Sequence, residues 1–209
     1  MPLVKHTILK MAQAISCARL SILTIGAVYV VSILIGIIMV HSENRFALHY
    51  RDKLVSEAAR QEPATIAYKQ GHLLRAAFFD FAGNLFIGSV PQSVMGMGII
   101  FPYPWVAYQG WVGGIVSVRG DHTSRLNNLH SAVYYLLTLI LQIAPYSLTV
   151  GAGVNVGISL FRPAPYYRGE KFAHLFPKEV LRDWIRIYLL ASPMFFLASL
   201  WEFLSLWNI

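Results

Sequence analysis

Asp80 is the last charge before a run, Phe81 to Val118, that has none, and Asn84 follows it four residues on. On a helix that spacing puts both side chains on one face. A second acid, Glu202, stands near the end of another apolar stretch. An acid held in a membrane is costly and faces a bundle interior or a wet cavity. The chemistry this allows is a proton or cation site. The ordinary alternative is a hydrogen-bonded packing group or, for Glu202, an acid near the interface. Gln92, Gln109, Gln142 and Asn155 add amides in uncharged surroundings. Such groups commonly join helices for about 0.6 kcal/mol each. Asp80, Asn84, Gln142 and Glu202 form the candidate intramembrane polar site.

Other chemistries lack their residues. There is no H-E-x-x-H motif, no G-x-S-x-G elbow and no G-x-x-x-x-G-K-[ST] loop. The seven histidines are scattered, with His41, His49, His72 and His122 near loops or span ends. Cys17 is the single cysteine, which excludes an internal disulfide and a multi-cysteine metal site. No catalytic residue, metal or cofactor is expected, so the chain reads as a non-enzyme. The net charge of +7 would suggest nucleic acid in a soluble protein. Here basic residues flank apolar runs, so they read as orienting charges, and no nucleic-acid partner is expected.

The elements that must carry these residues are membrane helices. Hydrophobic residues make up 56% and charged residues 13%, about half the usual charge. Leu20–Val40, Phe81–Val118 and Leu126–Phe161 contain no Asp, Glu, Lys or Arg. A bilayer needs about 20 apolar residues per helix. Three such runs exclude a soluble globular enzyme and intrinsic disorder. Ser21–Val40 is apolar on both parities, which suits a helix rather than a barrel strand. The expected fold is all-α, a single polytopic membrane bundle of about five spans.

Residues 1–19 hold Lys5, Lys10 and Arg19 and no acid, and read as a cytoplasmic arm. Span one is Leu20–Val40, after which Ser42 is placed to cap the next helix. Across 42–72, Phe46, Tyr50, Leu54 and Ala58 recur at four-residue spacing, the stripe of an amphipathic extracytoplasmic helix. Pro63 starts a second short helix and Gly71 ends it. A turn at Pro91-Gln92-Ser93 would separate spans Leu73–Val90 and Val94–Val118, with Pro102-Tyr103-Pro104 kinking the latter. Residues 129–161 contain Pro145, Gly151, Gly153 and Gly157, which predicts a broken fourth span. The last span is Trp184–Trp207, with those tryptophans at opposite interfaces. Five spans put the arm and the 162–183 loop, with eight Lys/Arg between them, on the cytoplasmic side. The orientation is then N-in, C-out.

Gly110/Gly114 and Gly153/Gly157 each spell G-x-x-x-G, which lets two helix backbones approach closely. They serve either packing within the chain or a partner interface, including a homo-oligomer.

These pieces, in order, resemble the stage II sporulation protein M family of bacterial and archaeal membrane proteins. The resemblance rests on a first span followed by an outer amphipathic segment, then Phe78–Gly88 with Asn84. It continues through Gly96-Met97-Gly98 to Gln109-Gly110 and Gly113-Gly114, then Ala144-Pro145 to Ala152-Gly153-Val154-Asn155-Val156-Gly157. It closes on Leu197-Ala198-Ser199-Leu200-Trp201-Glu202-Phe203. The family's Pro-His-Gly-x-x-Glu motif is absent, with Gln142 in place of its Glu, and Gln109 replaces an Asn. The resemblance implies a non-enzymatic scaffold of the cytoplasmic membrane that holds partner proteins. The expected role is therefore a scaffold or accessory subunit, touching lipids and other membrane subunits. Its partner surfaces would be the glycine faces, the 42–72 segment and the 162–183 loop. The competing expectation is a transporter or channel component using the Asp80/Asn84 site.

Overall fold

In the computed structural model, residues 2–162, 167, 171–172 and 175–205 are described. The described residues are all-α apart from one small antiparallel strand pair. Its elements are α1 (Pro2–His41), α2 (Arg45–Gln61), α3 (Pro63–Lys69), α4 (Leu73–Ala82), a π-helical segment (Gly83–Ser89), α5 (Val90–Gly96) and α6 (Pro102–Ile115). A 3-10 turn (Arg125–Asn127), α7 (Leu129–Phe161), β1 (Lys171–Phe172), β2 (Phe176–Pro177) and α8 (Lys178–Leu204) follow. Leu9–His41, Leu73–Gly96, Leu129–Phe161 and Lys178–Leu204 are long and apolar enough to cross a membrane. The molecule is a membrane protein built on these four helices.

α1 packs along α6, α7 and α8, α4 lies on α8, and α5 lies on α7. Tyr103 Oη sits 3.1 Å from Thr24 Oγ1, and Tyr29 Oη donates to Gln109 Oε1 at 2.6 Å. Gly114 approaches Ile33 and Gly36. α6 therefore runs parallel to α1. The core at the helix crossings gathers Ile25, Val106, Val150, Val154, Ala191 and Phe195. Side chains such as Leu20, Leu23 and Ile38 stay exposed on the outer faces, as lipid-facing residues do.

Several expectations are corrected. The chain does not turn at Pro91-Gln92-Ser93: α4, the π segment and α5 form one unbroken helical run from Leu73 to Gly96. Pro91 lies inside this run, just after the π-helical segment, and a membrane helix tolerates the hydrogen bond it lacks. The turn comes at 97–101, where Ile99 takes a left-handed φ of +64°. Pro102-Tyr103-Pro104 starts α6 instead of kinking it, since proline is suited to a first helical turn. α6 has only 14 residues, which is why it is absent from the four long spans. The fourth span is not broken. α7 runs 33 residues with Pro145 inside it, and neighbouring helices tolerate the lost hydrogen bond.

Ser42 does not cap α2. Its hydroxyl donates back to the Met39 carbonyl, while Asn44 Oδ1 accepts from the Ala47 amide. α2 gives way to α3 at Glu62-Pro63, and Gly71 follows with φ +79°. The buried positions of α2 are Ala47 and Arg51, beside rather than on the Phe46–Tyr50–Leu54–Ala58 stripe. Pro163, Pro165, Arg168 and Trp207 lie outside the described residues.

Candidate functional site

α4, α7 and α8 meet near the end of the bundle that carries α2 and α3. Asn84 Nδ2 donates to Asp80 Oδ2 at 2.9 Å, as one helical turn allows. Ser199 Oγ, from α8, donates to the same oxygen at 2.6 Å. Tyr146 Oη, from α7, donates to Asn84 Oδ1 at 2.9 Å. The Asp80 carboxyl thus ties its own helical run to α8, and Asn84 extends the network to α7. One turn along α8, Glu202 Oε2 accepts from Gln142 Nε2 at 2.6 Å, and the Glu202 carbonyl accepts from Tyr134 Oη at 2.7 Å. All four residues singled out for the polar site are therefore at one end of one bundle, as two hydrogen-bonded pairs.

The side chains between these pairs line open space. A cavity of about 290 Å³ is walled by Tyr29, Asn84, Gln109, Gln142 and Tyr146, with Ile33 and Leu139 as apolar wall. A second cavity, about 530 Å³, lies under α2 and α3. Arg51, Glu62, Arg125, Leu139, Gln142 and Glu202 are among its walls. Gly113, Val116, Leu139 and Gln142 line both, so the two spaces adjoin. Polar groups of several kinds converge on an otherwise apolar chamber, the usual make-up of a small-ligand site.

The opposite end of the same helices is packed. Ser89 Oγ donates to Thr149 Oγ1 at 2.7 Å, and Ser93 Oγ donates to the Thr149 carbonyl at 2.6 Å. Trp184 Nε1 donates to Ser93 Oγ at 2.8 Å. Ser89, Ser93 and Thr149 are fully buried. The glycines make this packing possible. A Cβ on Gly153 would lie 1.9 Å from the Ser93 carbonyl oxygen, and one on Gly157 would lie 2.3 Å from that of Met97. Gly110 and Gly114 meet the backbone of α1 at Tyr29 and Ile33 in the same way. All four glycines of the two G-x-x-x-G motifs are in contacts within the chain.

Above the second cavity, a small hairpin closes over α2. The Arg119 amide donates to the Thr123 carbonyl, and the Arg125 amide donates to that of Ser117, both at 2.8 Å. His122 Nε2 and Asp52 Oδ2 are 2.9 Å apart, and Arg51 Nη1 donates to Asp52 Oδ1 at 2.9 Å. The hydrogen bond from His122 lowers the Asp52 carboxyl below its ordinary pKa, and Arg51 adds to this.

Ser199, Tyr146, Tyr29, Arg51 and Arg125 were not singled out by sequence. Ser199 had a signal, being one turn before Glu202. Arg51 had another, lying four residues after Ala47 on the inward face of α2. Tyr146 and Tyr29 had none, because a tyrosine in a span reads as packing. Among the described residues no group of three or more His, Cys, Asp or Glu side chains is placed to hold a metal ion. No family model matches the chain, and neither does a curated protein or a solved structure.

Proposed function

We propose that the chain is a multi-pass transporter or channel component of a bacterial or archaeal cytoplasmic membrane. It takes a proton or potassium ion from the α2–α3 side into an intramembrane site. In this reading α6 is the short third of five crossings, the N-terminus is inside, and α2 and α3 lie outside. The basic 162–183 loop then falls inside, consistent with the charge rule. The observation that carries the reading is the polar chamber lined by Asn84, Gln109, Gln142 and Tyr146, flanked by the Asp80 and Glu202 carboxyls. It adjoins the cavity under α2 and α3, while the far end of the bundle is packed. Space on one side and a hydrogen-bonded plug on the other suit alternating access around a site inside the bundle.

The experiment is flux into proteoliposomes, with a trapped pH dye for protons and a potassium-sensitive dye for potassium. Wild type should exceed empty vesicles for one of the two ions, and Asp80→Asn should return it to the empty level. Wild-type vesicles as tight as empty ones to both would overturn the reading.

The scaffold or accessory-subunit role implied by the family resemblance is the second reading. It would rest on surfaces other than the glycine faces, which are occupied within the chain. What supports it is Phe46, 65% exposed on α2 and stacked on Trp111 at 6.0 Å, an anchor of the kind partner proteins use. Mild-detergent purification from the native membrane tests it: stoichiometric partners that Phe46→Ala abolishes would support it.

A further inference from the structure

The cavity under α2 is lined by two arginines that each carry a buried guanidinium nitrogen without a hydrogen-bond partner. Arg51 is only 6% exposed, yet its Nε has no hydrogen-bond partner. Its Nη1 is engaged by Asp52. Arg125 also has a buried Nε without a partner. Both side chains line the same space of about 530 Å³, and Lys69 lines it too. Burial, then the charges of Arg51 and Arg119, lower the pKa of the Arg125 guanidinium. An unpaired buried donor is expensive, and more so when charged, so two of them in one cavity call for an anion.

The cavity's own acids do not meet this need. Glu62 accepts from Thr65 Oγ1 at 2.5 Å, and Glu202 accepts from Gln142. Asp52 is shared between Arg51 and His122. Leu54, Val55, Val116 and Leu139 form an apolar part of the wall. A guanidinium fork matches the oxygens of a phosphate.

We propose that this cavity is a binding site for a phosphate-bearing anion, held by Arg51 and Arg125. The site is separate from the Asp80 chamber and stands whether or not the chamber carries flux. Two sources share this chemistry. One is a phospholipid headgroup whose chains lie against the apolar wall; the other is free phosphate from the medium.

The test uses the full chain purified in a non-ionic detergent. Thermal stability is titrated with inorganic phosphate, with short-chain phosphatidic acid, and with sodium chloride at matched ionic strength. One of the phosphate probes should raise the melting temperature where chloride does not. A response to phosphatidic acid alone assigns a lipid headgroup; a response to inorganic phosphate assigns a soluble anion. Arg125→Gln should weaken the effective probe about ten-fold, the cost of one charge-assisted hydrogen bond. Arg182→Gln, at an exposed pair with Glu179, should leave it unchanged. If Arg125→Gln fails to fold, Arg125→Lys keeps the charge without the fork, and should bind at least several-fold more weakly. No stabilisation by either phosphate probe beyond chloride, or equal stabilisation of wild type and Arg125→Gln, overturns the proposal.

Discussion

At the residue scale, two glycines of different surroundings make a direct comparison. Gly153 presses on the Ser93 backbone, whereas nothing lies within 4 Å of a Cβ built on Gly83. Gly153→Ala should destabilise the detergent-solubilised protein by about 1–3 kcal/mol or more, the cost of overpacking. Gly83→Ala should be within about 1 kcal/mol of wild type, and on the stabilising side if helix propensity dominates. Melting curves of the two variants decide this. Equal losses would mean that the α5–α7 contact is looser than 1.9 Å implies. Asp80→Asn keeps the shape of the side chain and retains an acceptor for Ser199. It should leave the melting temperature within a few degrees while removing flux. The sequence carried this pair: a four-residue spacing at the head of a charge-free run was enough to link Asp80 and Asn84. Ser199 and Tyr146 were hidden, because their partners lie 119 and 62 residues away. No local pattern encodes that pairing.

At the element scale, α2 and the hairpin above it are held by the Arg51–Asp52–His122 chain. Asp52 has a lowered folded-state pKa. Its contribution is therefore present above the unfolded carboxylate value near pH 4, and fades as the pH falls through the lower folded value. Hydrogen exchange over Arg45–Gln61 should quicken in that acid window. Asp52→Ala should quicken it at neutral pH by no more than about five-fold, since exposed ion pairs are worth under about 1 kcal/mol. Unchanged exchange in Asp52→Ala would assign the docking of α2 to the packing of Ala47 and the Phe46–Trp111 stack alone. The helices themselves were legible where charge is absent for 20 residues or more. The break at 97–101 was not. Pro91 looked like a terminator, but the helical run passes through it just after a π-helical segment. The same tolerance misled the reading of α7: its glycines are close-contact points against α1 and α5, and the helix runs straight through them. Arg51 was obscured for a related reason. The apolar stripe of α2 pointed to Tyr50 and Leu54, while the face that is buried includes a charge.

At the scale of the whole molecule, the bundle holds open space at one end and is packed at the other. A polar chamber inside the bundle opens toward the α2–α3 side and is shut at the other. Leu139 lines both cavities and makes no polar contact that its loss would break, so it is the position at which to test this. In a Cys17→Ser background, Leu139→Cys would be exposed to a membrane-impermeant maleimide in oriented vesicles. Leu23→Cys, on the outer face at 67% exposure, serves as the lipid-facing control, and labelling after denaturation confirms that each thiol is present. Leu139→Cys should be labelled from the external face, and Leu23→Cys from neither. Labelling of Leu139→Cys only from the cytoplasmic face, or from neither, would contradict the opening toward the α2–α3 side.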